Sequence, residues 1–261
     1  MNETHSNTGM MLKIKELTKY FGNLPAIKGV NLIINEKEVT SLIGPNGAGK
    51  TTFYNLITGR FPPSSGRILF KGKDITGLPP YKILKRGLAR SFQITSIFNE
   101  LTVLENVRSA VIAQSTARMN LFKHVNSFGS LYEKSIDFLK LVGLEEKKDS
   151  LCSTLSHGDR RTVEIGITLA SNPDLILLDE PTAGMTPEET KRMVNLIKDL
   201  SQQTKTTFCI IEHDMNVVFS ISDRILVLYY GEILADGTPD QIRVNQKVKE
   251  AYLGGLTDAA G

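Results

Sequence analysis

The segment VTSLIGPNGAGKTT, residues 39–52, packs an apolar run, a glycine-rich loop and the beginning of a helix into one short stretch. The apolar run reads as a strand bounded by glycine, and FYNLITG, which follows it, reads as a helix. Between them, Gly44 to Thr51 fits the pattern G-x4-G-K-[ST]. Small residues let successive backbone N–H groups curl around phosphate oxygens, and a lysine at this place reaches the outer phosphates. Asn46, Gly47, Ala48, Gly49, Lys50, Thr51 and Thr52 are therefore expected to cradle a nucleotide, with the Thr51 hydroxyl offered to Mg2+.

Working outward, a second piece of the same chemistry stands at LILLDEP. Four apolar residues carry Asp179 and Glu180 to the end of a buried strand, where open α/β sheets place their ligands. Asp179 is expected to hold Mg2+ through water. Glu180 is expected to polarise the attacking water, a role typically worth about 10²–10⁴ in rate. Two further residues join the candidate list: Gln93, in ARSFQ, and His213, just after the apolar run in IIEHD. LSHGDRR, from Leu155 to Arg161, reads as a helix start, and helix starts bind anions through unpaired N–H groups and the positive dipole end.

The rest of the chain supplies a frame for these pieces. LKIKELTKYFG, AIKGVNLIINEKE, VTSLIG and GRILFKG are short and β-like, and read as an N-terminal sheet. Helical periodicity follows in LTVLENVRSAVIA and LYEKSIDFLKLVGL, which read as an inserted helical subdomain. QSTARMNLFKHVNSFGS, between them, has no clean period and reads as a loop or broken helix. From Gly158 helix and strand alternate, ending in the hairpin DRILVLYYGEILADG. Thr186-Pro-Glu-Glu189 places a capping threonine, a proline at the first helical position and a glutamate at the third. The helix it opens should turn Met193, Leu196, Ile197 and Leu200 toward a sheet.

Composition narrows the partners. With 261 residues and 41% apolar content, the chain can build a large core without cross-links. The net charge of +3 is small, and the basic residues are scattered rather than striped, which speaks against nucleic acid. Cys152 and Cys209 are far apart and form no metal or redox motif, a usage that fits a reducing compartment. The polar start MNETHSNTGMM leads us to expect no signal peptide, and no run is long and apolar enough to span a bilayer. Any membrane role should come through a partner.

Taken in order, GPNGAGKTT, SFQ, LSHGDRR, LILLDEP and EHD resemble the ATP-binding-cassette (ABC) ATPases, and the likeness runs from about Leu12 to Leu253. The resemblance implies an α/β fold: a P-loop ATPase core with an antiparallel β subdomain at its N-terminal end and an inserted α-helical subdomain. The expected division is 11–93 and 158–254 for the core, 94–157 for the helical part with the signature at its end, and flexible tails at 1–10 and 255–261. It implies that Gln93 joins Mg2+ to the membrane-facing subdomain, that His213 contacts the γ-phosphate, and that Phe21, or Tyr20 beside it, stacks on adenine. Ser156 and Gly158 would close on ATP bound to a second ATPase subunit. Each charge-assisted bond there is worth ~1.5–3 kcal/mol, and a few exceed the ~5.5 kcal/mol that moves a two-state equilibrium from 1:99 to 99:1.

Two departures accompany the likeness. The signature reads LSHGD where LSGGQ is commonest, and EPTAGMTP stands where EPTSALDP is frequent, so Thr186 replaces the usual aspartate. EPTAGMTPEET, the stretch from IEHD to PDQI, and the ending AYLGG resemble the larger ATPase subunit of branched-chain amino acid importers. That resemblance implies two permease subunits, a second ATPase subunit, an extracytoplasmic solute-binding protein acting indirectly, and a place on the cytoplasmic face of the inner or plasma membrane. Urea, short-amide or lipid transport is the neighbouring alternative. A soluble ABC ATPase without transport, or a nucleotide-sensing switch, belongs to a different class. The intact Glu180 argues against the switch.

Overall fold

The computed structural model describes residues 9–91, 97–114 and 126–254. The expected tails 1–8 and 255–261 lie outside the described residues, whereas Met10, read as tail, already belongs to the first strand. An antiparallel sheet forms from β1 (Met10–Phe21), β2 (Leu24–Asn35), β4 (Ser65–Phe70) and β5 (Lys73–Asp74), in the order β2-β1-β4-β5. A mixed sheet takes β3 (Val39–Ile43), β6 (Leu88–Arg90), β7 (Leu175–Asp179), β8 (Thr207–Ile211), β9 (Arg224–Tyr229) and β10 (Glu232–Gly237), in the order β10-β9-β3-β8-β7-β6. Only β10 runs antiparallel to its neighbour; the hairpin it makes with β9 is the one read from sequence.

VTSLI therefore does not belong with the antiparallel strands beside it in sequence. As β3 it lies between β8 and β9, with Leu42 opposite both Ile211 and Leu226. The reason is burial on two faces: all five residues of β3, β7 and β8 are buried, which is how a parallel strand covered on both sides reads. Side chains alternate between faces with a period of two. Leu175, Leu177, Cys209, Ile211, Leu226 and Leu228 face a core shared with β1, β2 and helix α1 (Lys50–Ile57). Ile176, Leu178, Phe208 and Ile210 face the opposite way, into a second core.

That second core is roofed by α3 (Val103–Gln114), α4 (Asn126–Leu141), α5 (His157–Ala170) and α6 (Pro187–Gln203). Helix α2 (Pro80–Leu84) precedes β6. Helices α7 (Met215–Ile221), α8 (Pro239–Val244) and α9 (Gln246–Gly254) cover Ile43, Ile225 and Val227 near the other end of the sheet. Helix α4 begins at Asn126, inside the stretch read as aperiodic, and 115–125 lie outside the described residues. Its first turn carries a serine and a glycine, poor helix formers, and is held by continuation into a helix whose Ile136 and Leu139 are buried.

Helix α6 matches its local chemistry. Thr186 caps it, with the reciprocal Glu189 contact present, and Met193, Val194, Ile197 and Leu200 are buried while Leu196 is partly so. Among the described residues no helix is long and apolar enough to cross a membrane.

Candidate functional site

At the carboxyl ends of β3 and β7, a cleft of about 510 Å3 is lined by residues 46–52, Asp179, Glu180, Ile211, Tyr230 and, along one wall, Leu24, Pro25 and Ala26. The loop keeps its shape because Gly44 lies against the neighbouring strand: a Cβ there would sit 2.1 Å from the Leu228 carbonyl oxygen. Gly49, at φ +104°, caps α1, and Phe53 N–H donates to its carbonyl at 2.8 Å. Lys50 Nζ folds back and donates to the carbonyls of Gly44 and Pro45 at 2.6 and 3.0 Å. Burial pushes the Lys50 ammonium down from its ordinary range, while the Glu180 and Asp179 carboxylates pull it back up.

The acidic pair divides in two. Asp179 is buried, and its Oδ2 accepts from Arg90 at 2.5 Å; the same guanidinium donates to Asn55 Oδ1 at 2.7 Å. Glu180, immediately beyond β7, takes φ +47°, a left-handed conformation uncommon for a residue with a side chain. Its N–H donates to the Ile211 carbonyl at 2.8 Å, and its side chain is 36% exposed, against 3% for that of Asp179. His213 Nδ1 lies 3.6 Å from Glu180 Oε1. The fully buried Glu212 braces this corner, accepting from Thr182 Oγ1 at 2.5 Å, from Thr182 N–H at 3.1 Å and from His213 N–H at 3.1 Å.

A divalent ion suits this donor set. Among the described residues no three His, Cys, Asp or Glu side chains gather as a ready cage, and a magnesium bound by one hydroxyl, one carboxylate, phosphate oxygens and water needs none. Thr51 and Asp179 both line the cleft, where they would offer the first two. Gln93, the third expected metal partner, lies outside the described residues.

Phe21, the residue expected to stack on adenine, stands at the turn of the hairpin whose other strand lines the cleft, and its side chain is exposed. It ends β1 with its ring edge-on to Phe61, centroids 5.6 Å apart, and it does not line the cleft. The opposite strand of its hairpin reaches the cleft through Leu24, Pro25 and Ala26. Tyr20 likewise lies off the cleft, with its N–H on Ser64 Oγ at 3.0 Å.

The signature residues form a separate site that shares no lining residue with the cleft. Ser156 caps α5 and its Oγ accepts from Asp159 N–H at 3.2 Å. Gly158 N–H donates to Glu189 Oε1 at 3.2 Å, so a carboxylate from the first turn of α6 already occupies this helix start. The Thr186 N–H, then the Ser156 hydroxyl and the Gly158 N–H, hold Glu189 below the usual carboxylate range. Asp159 pairs with Lys147 at 2.5 Å, and His157 Nε2 lies 3.1 Å from the Ala183 carbonyl oxygen.

Sequence reading did not find Arg90, Asn55, Glu189 as an anion, or Glu212. Glu212 had a signal, since an acid ending the apolar strand in IIEHD repeats the pattern of LILLDE. The others act through partners distant along the chain.

A family profile described as ABC transporter matches residues 27–183, and one described as branched-chain amino acid ATP-binding cassette transporter matches residues 232–256. Over 249 residues the chain is 41% identical to the high-affinity branched-chain amino acid transport ATP-binding protein LivG of Escherichia coli (strain K12), covering 94% of this chain and 98% of the relative. BraF of Pseudomonas aeruginosa, with the same description, is 42% identical at the same coverage. The ADP conformation of MJ1267, an ATP-binding cassette of an ABC transporter, superposes with a TM-score of 0.82 at 34% identity, covering 94% of this chain and 99% of that one. The dimeric cassette MJ0796 does so with a TM-score of 0.72 at 29% identity, covering 88% and 99%.

Proposed function

The chain belongs to the ABC transporter ATP-binding cassettes, and from that premise we propose that it is the ATP-hydrolysing subunit powering import of branched-chain amino acids through partner permeases at the cytoplasmic face of the membrane. The convergence of Lys50, Thr51, Asp179 and Glu180 on one cleft carries the catalytic half of this reading. Residues 46–52 would wrap the phosphates, and Thr51 and Asp179 would hold Mg2+, which when bound would supply positive charge to offset that of the phosphates. Glu180 takes the proton of the attacking water as its oxygen bonds to the γ-phosphorus and the bond to ADP breaks. His213, next to Glu180, would contact the γ-phosphate, and the family resemblance assigns Gln93 to the metal as a further partner. Adenine lies against the wall of Leu24, Pro25 and Ala26.

Transport requires a second ATPase subunit, because Ser156 and Gly158 stand apart from their own chain's cleft. ATP held in one subunit is clasped by the signature of the other, and hydrolysis releases the pair. The dimeric relative MJ0796 and the transport descriptions of LivG and BraF support this assembly. A solute-binding protein outside the membrane delivers the amino acid to the permeases.

A groove near β6 suits the permease contact. Cavities of about 390 and 240 Å3 meet at Leu84, Ala89 and Arg90, and Tyr81 and Leu84 on its rim are exposed large side chains. Leu84→Glu should place an unpaired charge on this apolar surface and weaken permease association about tenfold or more. ATP hydrolysis by the isolated chain should stay unchanged. Co-purification from membranes, scored beside soluble ATPase rates, checks both.

Deleting the gene and measuring uptake of labelled leucine, isoleucine and valine tests the function. Loss of their uptake, restored by the wild-type chain, supports it. Loss of urea or short-amide uptake with the amino acids unaffected moves the solute, and recovery of ribosomes or DNA with the tagged chain overturns the transport reading.

A further inference from the structure

Arg90 ends β6 and joins three elements through one guanidinium, one of its partners being the Asp179 that lines the cleft. One terminal nitrogen donates to Asp179 Oδ2 at 2.5 Å, at the end of β7, and the other to Asn55 Oδ1 at 2.7 Å, on α1. The guanidinium carbon lies 5.5 Å from the ring centroid of Tyr54, also on α1. The side chains of Arg90 and Asp179 are 9% and 3% exposed, so the contact is out of water. The Arg90 Nε–H finds no hydrogen-bond partner among the described residues.

A buried ion pair gives little net stability compared with well-packed apolar residues of the same volume. Its use here is geometric. A guanidinium gripped at both ends has a fixed plane, and a carboxylate bonded to it through Oδ2 cannot rotate freely. Oδ1 is then aimed in a set direction. Groups that orient a metal's ligands in this way tune affinity for the ion without touching it.

We propose that Arg90 is a positioning residue for the divalent ion: it locks the Asp179 carboxylate, with Asn55 locking Arg90, so that the remaining oxygen is pre-set for the ion's water shell. The proposal rests on the reading of Asp179 as a metal partner. It separates Arg90 from the phosphate-binding residues, since the guanidinium serves the carboxylate and makes no contact with the glycine loop in the hydrogen bonds it forms.

The test uses the full chain, a fluorescent ATP analogue and Mn2+ as a paramagnetic probe, with binding rather than turnover as the readout. Arg90→Gln should leave analogue affinity in EDTA within about twofold and raise the half-saturating Mn2+ concentration roughly tenfold or more, the usual effect of losing a ligand-orienting partner. Arg90→Lys, which keeps a cation but not the two-ended grip, should fall between Arg90→Gln and wild type. Asn55→Leu leaves the ion pair in place and should raise half-saturation roughly threefold, the effect of one neutral hydrogen bond. If Arg90→Gln does not fold, Asn55→Leu and Arg90→Lys decide. Wild-type Mn2+ dependence in the folded variants overturns the proposal. Asp179→Asn is the reference: if it too binds Mn2+ like wild type, the metal reading of Asp179 has failed, which is a different result from failure of Arg90 alone.

Discussion

Glu180→Gln loses steady-state ATP hydrolysis by about 10²–10⁴-fold while ATP affinity stays within about twofold. That loss corresponds to ~2.7–5.5 kcal/mol of barrier, and it falls on the chemical step alone. Glutamine keeps the size and hydrogen-bonding shape of the side chain, so the cleft and its metal partners are undisturbed. What it lacks is a basic oxygen to receive the proton of the attacking water. The choice of glutamine also respects the backbone, since position 180 has φ +47° and the isosteric glutamine bears the same strain there as glutamate. Single-turnover release of phosphate, beside equilibrium binding of an ATP analogue, separates chemistry from binding. A variant that turns over at the wild-type rate would remove Glu180 from the mechanism.

Gly44→Ala is expected to be the most damaging change in the phosphate loop. Its Cβ would lie 2.1 Å from the Leu228 carbonyl oxygen and 3.1 Å from Ala48 Cβ, at a φ of +154°. Leu228 belongs to β9, which pairs with β3 at Leu42↔Leu226 and Ile43↔Val227, so that carbonyl cannot retreat without opening the sheet. Overpacking and backbone strain together should destabilise the fold by about 2–5 kcal/mol. For a chain of this size that lowers the melting temperature by roughly 4–20 °C. ATP binding should be lost with it, because the loop starts at the displaced residue. Gly47→Ala provides the contrast: no atom stands within 4 Å of its Cβ, leaving only the strain of φ +79°, about 1–2 kcal/mol. Equal melting temperatures for the two variants would refute the close approach at Gly44.

Motifs made of neighbouring residues could be read without coordinates. The glycine loop carries its own turn chemistry, and Thr186, Pro187 and Glu189 start a helix by contacts made within one turn. The strand LILLD announced its depth because both of its faces are covered. Elsewhere the signal was lost to distance. VTSLI looked like one more strand of the N-terminal set, and only its partners β8 and β9, far along the chain, move it to the middle of the other sheet. The contact of Phe21 with Phe61, forty residues on, was equally invisible in the sequence. In ARSFQ the glutamine drew notice and the arginine did not, since a partner 89 residues away leaves no periodicity to detect.

With the carboxylate of Glu189 on the Gly158 N–H, the signature turn in this structure is not a bare socket. It carries a stopper on a short leash, anchored by the cap of α6. On the proposed two-subunit assembly, a phosphate arriving from the other subunit would have to evict that resident, because two negative groups repel within one ring of donors. Docking would thereby be an exchange of anions rather than a simple gain. When the visitor left, the stopper would still be within reach, and the joint would have a built-in way to come apart.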